Sequence, residues 1–133
     1  CSCGRRDVTM ELVWVGIGGA LGSIARYLAG RELTERLGGS FPYGTFTVNV
    51  LGAFLIGILF VLLTERGIGD DRLRLLLMVG FLGGFTTFST YTLDAFSLVE
   101  RGQWVMALTY VVGSNLLGLL ACLAGIASIR WLF

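Results

Sequence analysis

The chain has 133 residues, 55% of them hydrophobic and 14% charged, with a formal net charge of +1. A mean hydropathy of +0.80 excludes both an ordinary soluble domain and a disordered chain. There is no basic run to meet a nucleic acid, and no histidine for acid–base or metal chemistry.

The length fits one domain, and residues 1–133 are expected to form a single transmembrane domain. A bilayer-spanning helix needs about 20 apolar residues, and four such stretches fit. The chain begins with Cys1. Residues 1–9 are expected to form a mobile extension, Met10 is an alternative start, and lipidation of Cys1 stays open. No cleavable signal peptide is evident. Cys1, Cys3 and Cys122 make no metal or disulfide pattern, and Cys122 reads as a small packing residue.

The first span is expected over about Glu11 to Gly30. Its Gly18-x-x-x-Gly22 spacing lets helices approach closely in lipid. Arg26 lies near its far end; a charge inside a span is a functional candidate, unless it snorkels to the interface. Arg31 to Phe41 reads as a polar connection. Pro42 marks the start of a second span, about Tyr43 to Thr64, since proline suits a first helical turn. Asn49 is its conspicuous polar residue, able to join two helices or to offer its NH₂ group to an anion. Glu65 to Arg72 is a second charged connection.

The third span, about Leu73 to Val99, holds the most informative stretch, Gly80-Phe81-Leu82-Gly83-Gly84-Phe85-Thr86-Thr87-Phe88-Ser89-Thr90-Tyr91. Glycine is a poor helix former, and Ser and Thr compete for backbone hydrogen bonds. One reading is a helix broken between about Gly83 and Ser89, which would expose carbonyls and amides able to bind ions. The other is a glycine-rich packing surface. Asp94 follows Tyr91 by three residues and Thr90 by four, so helical spacing stacks them on one side. After a tight turn at Glu100-Arg101-Gly102, a fourth span runs from about Trp104 to Trp131, with Tyr110, Ser114 and Asn115 in its first half. Trp14, Trp104 and Trp131 fall near span ends, as interfacial tryptophans do.

No internal repeat is convincing, and four helices are few for two-sided access within one chain; oligomerisation is implied. Arginines set topology. Arg5, Arg6, Arg66, Arg72, Arg74 and Arg130 fall on one side, against Arg31, Arg36 and Arg101 with Arg26 nearby. Without Arg5 and Arg6 the bias almost vanishes, which would allow insertion in both orientations.

Three segments together carry a resemblance. They are Gly18-Gly19-Ala20-Leu21-Gly22 with Arg26-Tyr27, Gly44-Thr45-Phe46-Thr47-Val48-Asn49 with Gly52, and Gly80 to Thr90. The chain resembles the CrcB/Fluc family of fluoride channels across all four spans. The resemblance implies a dual-topology antiparallel homodimer in the plasma (inner) membrane, with a broken third helix and two fluoride pores. It implies a structural sodium ion at the dimer centre, held by backbone carbonyls of Gly83 and Thr86. It assigns Asn49 and the ring edge of Phe88 to the pore, with Thr90, Tyr110 and Ser114 along its wall, and Arg26 to an aqueous vestibule. Three positions depart from the family pattern: Tyr91 where a second pore phenylalanine is usual, Asp94 where glutamate is common, and Gly118 where a serine can occur.

The chemistry is coherent. A pore for a strongly hydrated anion must replace water with donors yet release the ion. Amide and hydroxyl groups donate, and ring edges carry a weak positive potential. Nothing points to an enzyme. The alternative is a coupled small-ion or drug exporter of the small four-helix dual-topology type, which would use a mid-membrane carboxylate; Asp94 is the deeper candidate and Glu11 lies at a span edge. A structural membrane subunit without transport is a third class.

Overall fold

The computed structural model describes the backbone of residues 3–133 and the side chains from Val8 onward. Every regular element among these residues is helical, and four helices are long and apolar enough to cross a membrane. The expected extension at residues 1–9 falls for Cys1 and Ser2 outside the described residues; from Cys3 the backbone belongs to the first helix.

Helix α1 (Cys3–Leu37) runs through the expected polar connection rather than stopping near Gly30. Its last turns are polar but locally supported. Arg31 pairs with Glu35 and Glu32 with Arg36 at four-residue spacing, and Thr34 donates its hydroxyl to the Gly30 carbonyl. Such pairs stabilise a helix whose residues gain nothing from lipid. Gly38 ends it at φ +88°, a left-handed conformation that glycine adopts without penalty.

Helix α2 (Tyr43–Leu59) starts directly after Pro42 and continues as a π-wound stretch, Phe60–Glu65. The third span begins at α3 (Asp71–Arg74), capped by Asp70, whose carboxylate accepts from the Leu73 amide at 3.1 Å. A second π-wound stretch, Leu75–Leu82, leads into the short α4 (Gly83–Phe85). Thr86 (φ −88°, ψ 153°) and Thr87 (φ −148°, ψ 120°) are extended, and α5 (Phe88–Glu100) follows. The turn at Arg101–Gln103 leads into α6 (Trp104–Leu132).

Close contacts between backbones hold these spans together. A Cβ on Gly18 would collide with the Leu76 carbonyl and one on Gly22 with the Phe81 carbonyl, while Gly80 and Gly84 face Val15 and Gly19 of α1 in return. On the other side, Gly57 of α2 faces the Cys122 carbonyl and Gly125 of α6 faces Phe54. In lipid, where apolar surface has no hydrophobic reason to leave its solvent, close backbone approach is what associates helices. The buried side chains are accordingly few. Val48, Leu82 and Phe85 form one cluster, and Leu98, Ala107 and Tyr110 another. Most of the large apolar side chains point outward. At one end of the bundle, Glu65 and Arg130 pair and tie the end of the second span to the end of α6.

Candidate functional site

The site is built around Thr86 and Thr87, near the middle of the third span. Extended backbone within a span leaves peptide groups without their helical partners, so other groups must satisfy them. Asn49 of α2 does this for Thr87 on both sides. Its Oδ1 accepts from the Thr87 amide at 2.8 Å, and its Nδ2 donates to the Thr87 carbonyl at 3.0 Å. The primary amide thus imitates a neighbouring peptide group. It serves as the helix-joining residue, and one of its two N–H hydrogens remains for another acceptor.

Thr87 also caps α5: its hydroxyl accepts from the Thr90 amide at 3.3 Å and donates to Thr90 Oγ1 at 3.2 Å. Its Oγ1 lies 3.3 Å from Ser89 Oγ as well. These bonds have a consequence for the carbonyls. In a continuous helix the Thr87 amide would serve Gly83 and the Thr90 amide would serve Thr86. Here the first goes to Asn49 and the second to the Thr87 hydroxyl. The Gly83 and Thr86 carbonyls are thereby deprived of their helical donors, and Gly83 is exposed on the surface of the single chain.

Two cavities flank this segment and a third lies apart from it. The first, about 390 Å³, is lined by Asn49, Gly83, Thr86, Phe88, Tyr91 and Ser114 among others. The second, about 610 Å³, brings Arg26 together with Thr45 and Thr90. Thr87 lines both, so the Asn49–Thr87 pair stands between them. The third, about 270 Å³, lies under the Gly39–Pro42 loop and contains Asp94 and Arg101. Tyr110 is fully buried beside it. The Tyr110 hydroxyl donates to Asp94 at 3.4 Å, and Phe41 packs edge-on against its ring at 5.5 Å.

The rings form a series. Phe88 lies 5.7 Å from Tyr91, and Tyr91 lies 5.3 Å from Tyr110, centroid to centroid. Phe88 is 79% exposed. The Ser114 hydroxyl is buried with no hydrogen-bond partner among the described residues.

The predicted residues therefore fall into three groups. Asn49, Gly83, Thr86, Phe88, Tyr91 and Ser114 share the first cavity; Arg26 and Thr90 share the second; Asp94 and Tyr110 form a bonded pair apart from both. Sequence reasoning passed over two residues. Thr87 was read only as part of its motif, although a hydroxyl residue three places before Thr90 has the spacing of a helix cap. Asn115, which donates to the Tyr91 hydroxyl at 3.0 Å, was noticed only as a polar residue of its span. Among the described residues no cluster of three or more His, Cys, Asp or Glu occurs, so a metal ion at the break would meet carbonyl and hydroxyl oxygens.

Four spans, the third interrupted by extended residues at Thr86 and Thr87, define a small multi-pass membrane protein. The family described as CrcB-like protein, Camphor Resistance (CrcB), matches residues 13–126. The chain is 48% identical over 120 residues to a fluoride-specific ion channel FluC of Hahella chejuensis, covering 90% of this chain and 94% of that one. It is 46% identical over 120 residues to the protein of the same name from Rhizobium meliloti, covering 90% and 96%. With the Magnetococcus marinus protein of that name it shares 44% identity over 117 residues, covering 88% and 95%. The chain belongs to the CrcB family.

Proposed function

We propose that this protein is a fluoride-selective channel that lets fluoride leave the cell passively and so relieves its toxicity. The observation that carries this reading is the Asn49–Thr87 pair. It holds extended backbone open in mid-span between two cavities, one reaching Arg26 and the other reaching Phe88, Tyr91 and Ser114. Amide, hydroxyl and ring-edge groups offer a small anion partial positive charge without a full countercharge to trap it. Arg26, at the wider cavity, raises the local concentration of anions. The relatives' shared name agrees with this reading.

The third span acts as a broken helix, and two copies of the chain assemble antiparallel across it. Gly83, Phe88, Ser89 and Thr90 are exposed on the single chain at membrane depth, where polar groups want protein rather than lipid around them. A second copy would cover them and supply a second pair of Gly83 and Thr86 carbonyls. Four carbonyl oxygens free of helical donors suit a hard monovalent cation, and sodium is the proposed occupant. When bound it would fasten the two copies and make the centre more favourable for anions. Asn49, Phe88, Tyr91 and Ser114 then act on fluoride in the first cavity, Thr90 lines the second, and Asp94 of the third cavity, with its partner Tyr110, belongs to the remaining path.

The test is ion efflux from liposomes containing the purified chain. Fluoride should leave rapidly while chloride stays. Equal release of both ions, or of neither, would contradict the proposal.

A further inference from the structure

Tyr91, where the resemblance implies a phenylalanine, carries a hydroxyl, and the structure constrains which way its proton points. Asn115 of α6 reaches Tyr91 Oη with Nδ2 at 3.0 Å and the Val111 carbonyl with the same nitrogen at 2.8 Å. A carbonyl only accepts, so the contact with Val111 fixes the orientation of the Asn115 amide. Both amide hydrogens are then engaged, and Tyr91 Oη is the acceptor of one. The phenolic proton must look elsewhere. Among the described residues it has no acceptor.

Tyr91 lines the 390 Å³ cavity beside Ser114 and Asn49. The Ser114 hydroxyl is buried without a partner among the described residues, although a helical serine ordinarily bonds back to the preceding turn. Asn49 retains one amide hydrogen beyond its bond to Thr87. One cavity therefore collects donors and no uncommitted carboxylate, since Asp94 lies in a different one. A buried donor without an acceptor is costly, and a small anion relieves that cost.

We propose that the Tyr91 hydroxyl, oriented by Asn115, is an additional hydrogen-bond donor to the anion in this cavity, acting with the Ser114 hydroxyl. Asn115 is a positioning residue: it occupies the phenol's lone pair and so turns the proton away from itself. The favoured ligand is a small, hard anion that accepts strong hydrogen bonds, fluoride rather than chloride. The inference rests on the fluoride-channel reading and deepens it at one subsite.

Two measurements on the purified full chain separate the site from the channel. The first is an ultraviolet difference titration of the tyrosine band with sodium fluoride, with sodium chloride as control. The second is the half-saturating fluoride concentration in liposome efflux. Wild type should show a saturable fluoride-specific spectral change. Tyr91→Phe should abolish that change and weaken half-saturation roughly tenfold, the equivalent of one hydrogen bond. Asn115→Leu should weaken it severalfold, but add nothing in the Tyr91→Phe background, because its effect passes through the hydroxyl. An unchanged half-saturation in folded Tyr91→Phe, or additive effects in the double variant, would overturn the proposal. If wild type passes no fluoride, the channel reading fails, and the spectral titration alone then decides the site.

Discussion

Asn49 satisfies the extended Thr87 peptide on both sides, and its removal has a calculable cost. Asn49→Leu fills the same space with an apolar side chain and makes no hydrogen bonds. The Thr87 amide and carbonyl would then lose the partners that Asn49 supplies at 2.8 and 3.0 Å. Thr87 is only 9% exposed, so water cannot replace them freely. Each orphaned buried group costs about 1–3 kcal/mol, giving about 2–6 kcal/mol for the pair. Interhelical bonds between side chains in membranes average nearer 0.6 kcal/mol, because their groups find other partners. The Thr87 peptide lies in a non-helical segment and has no such alternative, which favours the larger figure. Asn49→Asp keeps an acceptor for the amide but sets a carboxylate oxygen against the Thr87 carbonyl, and should be at least as damaging. Reversible unfolding in detergent, followed by tryptophan fluorescence, measures the difference. A loss of about 2 kcal/mol or more is expected. Stability of Asn49→Leu within about 0.5 kcal/mol of wild type would refute the reasoning.

Gly22→Val sets a branched side chain against the Phe81 carbonyl and should destabilise the protein by about 1–3 kcal/mol as an overpacked contact; an unshifted melting temperature would show that α1 can give way freely. Phe88→Ile should sharply reduce fluoride efflux while elution of the assembled protein stays normal, since the aliphatic chain keeps apolar bulk but lacks the ring edge proposed to meet the ion; normal efflux from the folded variant would sink the ring-edge role. Cysteines introduced at Ile68 and Gln103 should each be labelled from both sides of intact cells if the chain inserts in both orientations. These positions are better than the adjacent Gly69 and Gly102, whose φ values of +89° and +76° would strain any side chain; strictly one-sided labelling would defeat dual topology. Replacing sodium with a bulky organic cation should shift the assembled protein towards single chains, and an assembly indifferent to the cation would contradict the carbonyl site.

Much of this was legible in the sequence because lipid makes simple demands. Four apolar stretches mark the spans, and glycines at four-residue spacing mark close crossings; Gly18 and Gly22 serve as such. The polar density of Gly80 to Tyr91 pointed to the stretch in which Thr86 and Thr87 are extended. Its wiring was not legible. Asn49 and Thr87 are 38 residues apart and Tyr91 and Asn115 are 24 apart, and no local periodicity announces such pairs. The π-wound stretches at Phe60–Glu65 and Leu75–Leu82 contain no proline, and only Gly80 among glycines, to signal them. The length of α1 was missed because charge was read as a loop, when Arg31–Glu35 and Glu32–Arg36 use that charge to continue the helix.

The central claim is passive, selective fluoride conduction, and the most direct measurement is the reversal potential of the purified protein in a planar bilayer. A fluoride gradient is imposed with chloride equal on both sides, and a pH gradient is then added. The account predicts reversal at the fluoride equilibrium potential, unmoved by the pH gradient. Reversal that follows chloride, or that shifts with the proton gradient, would contradict it.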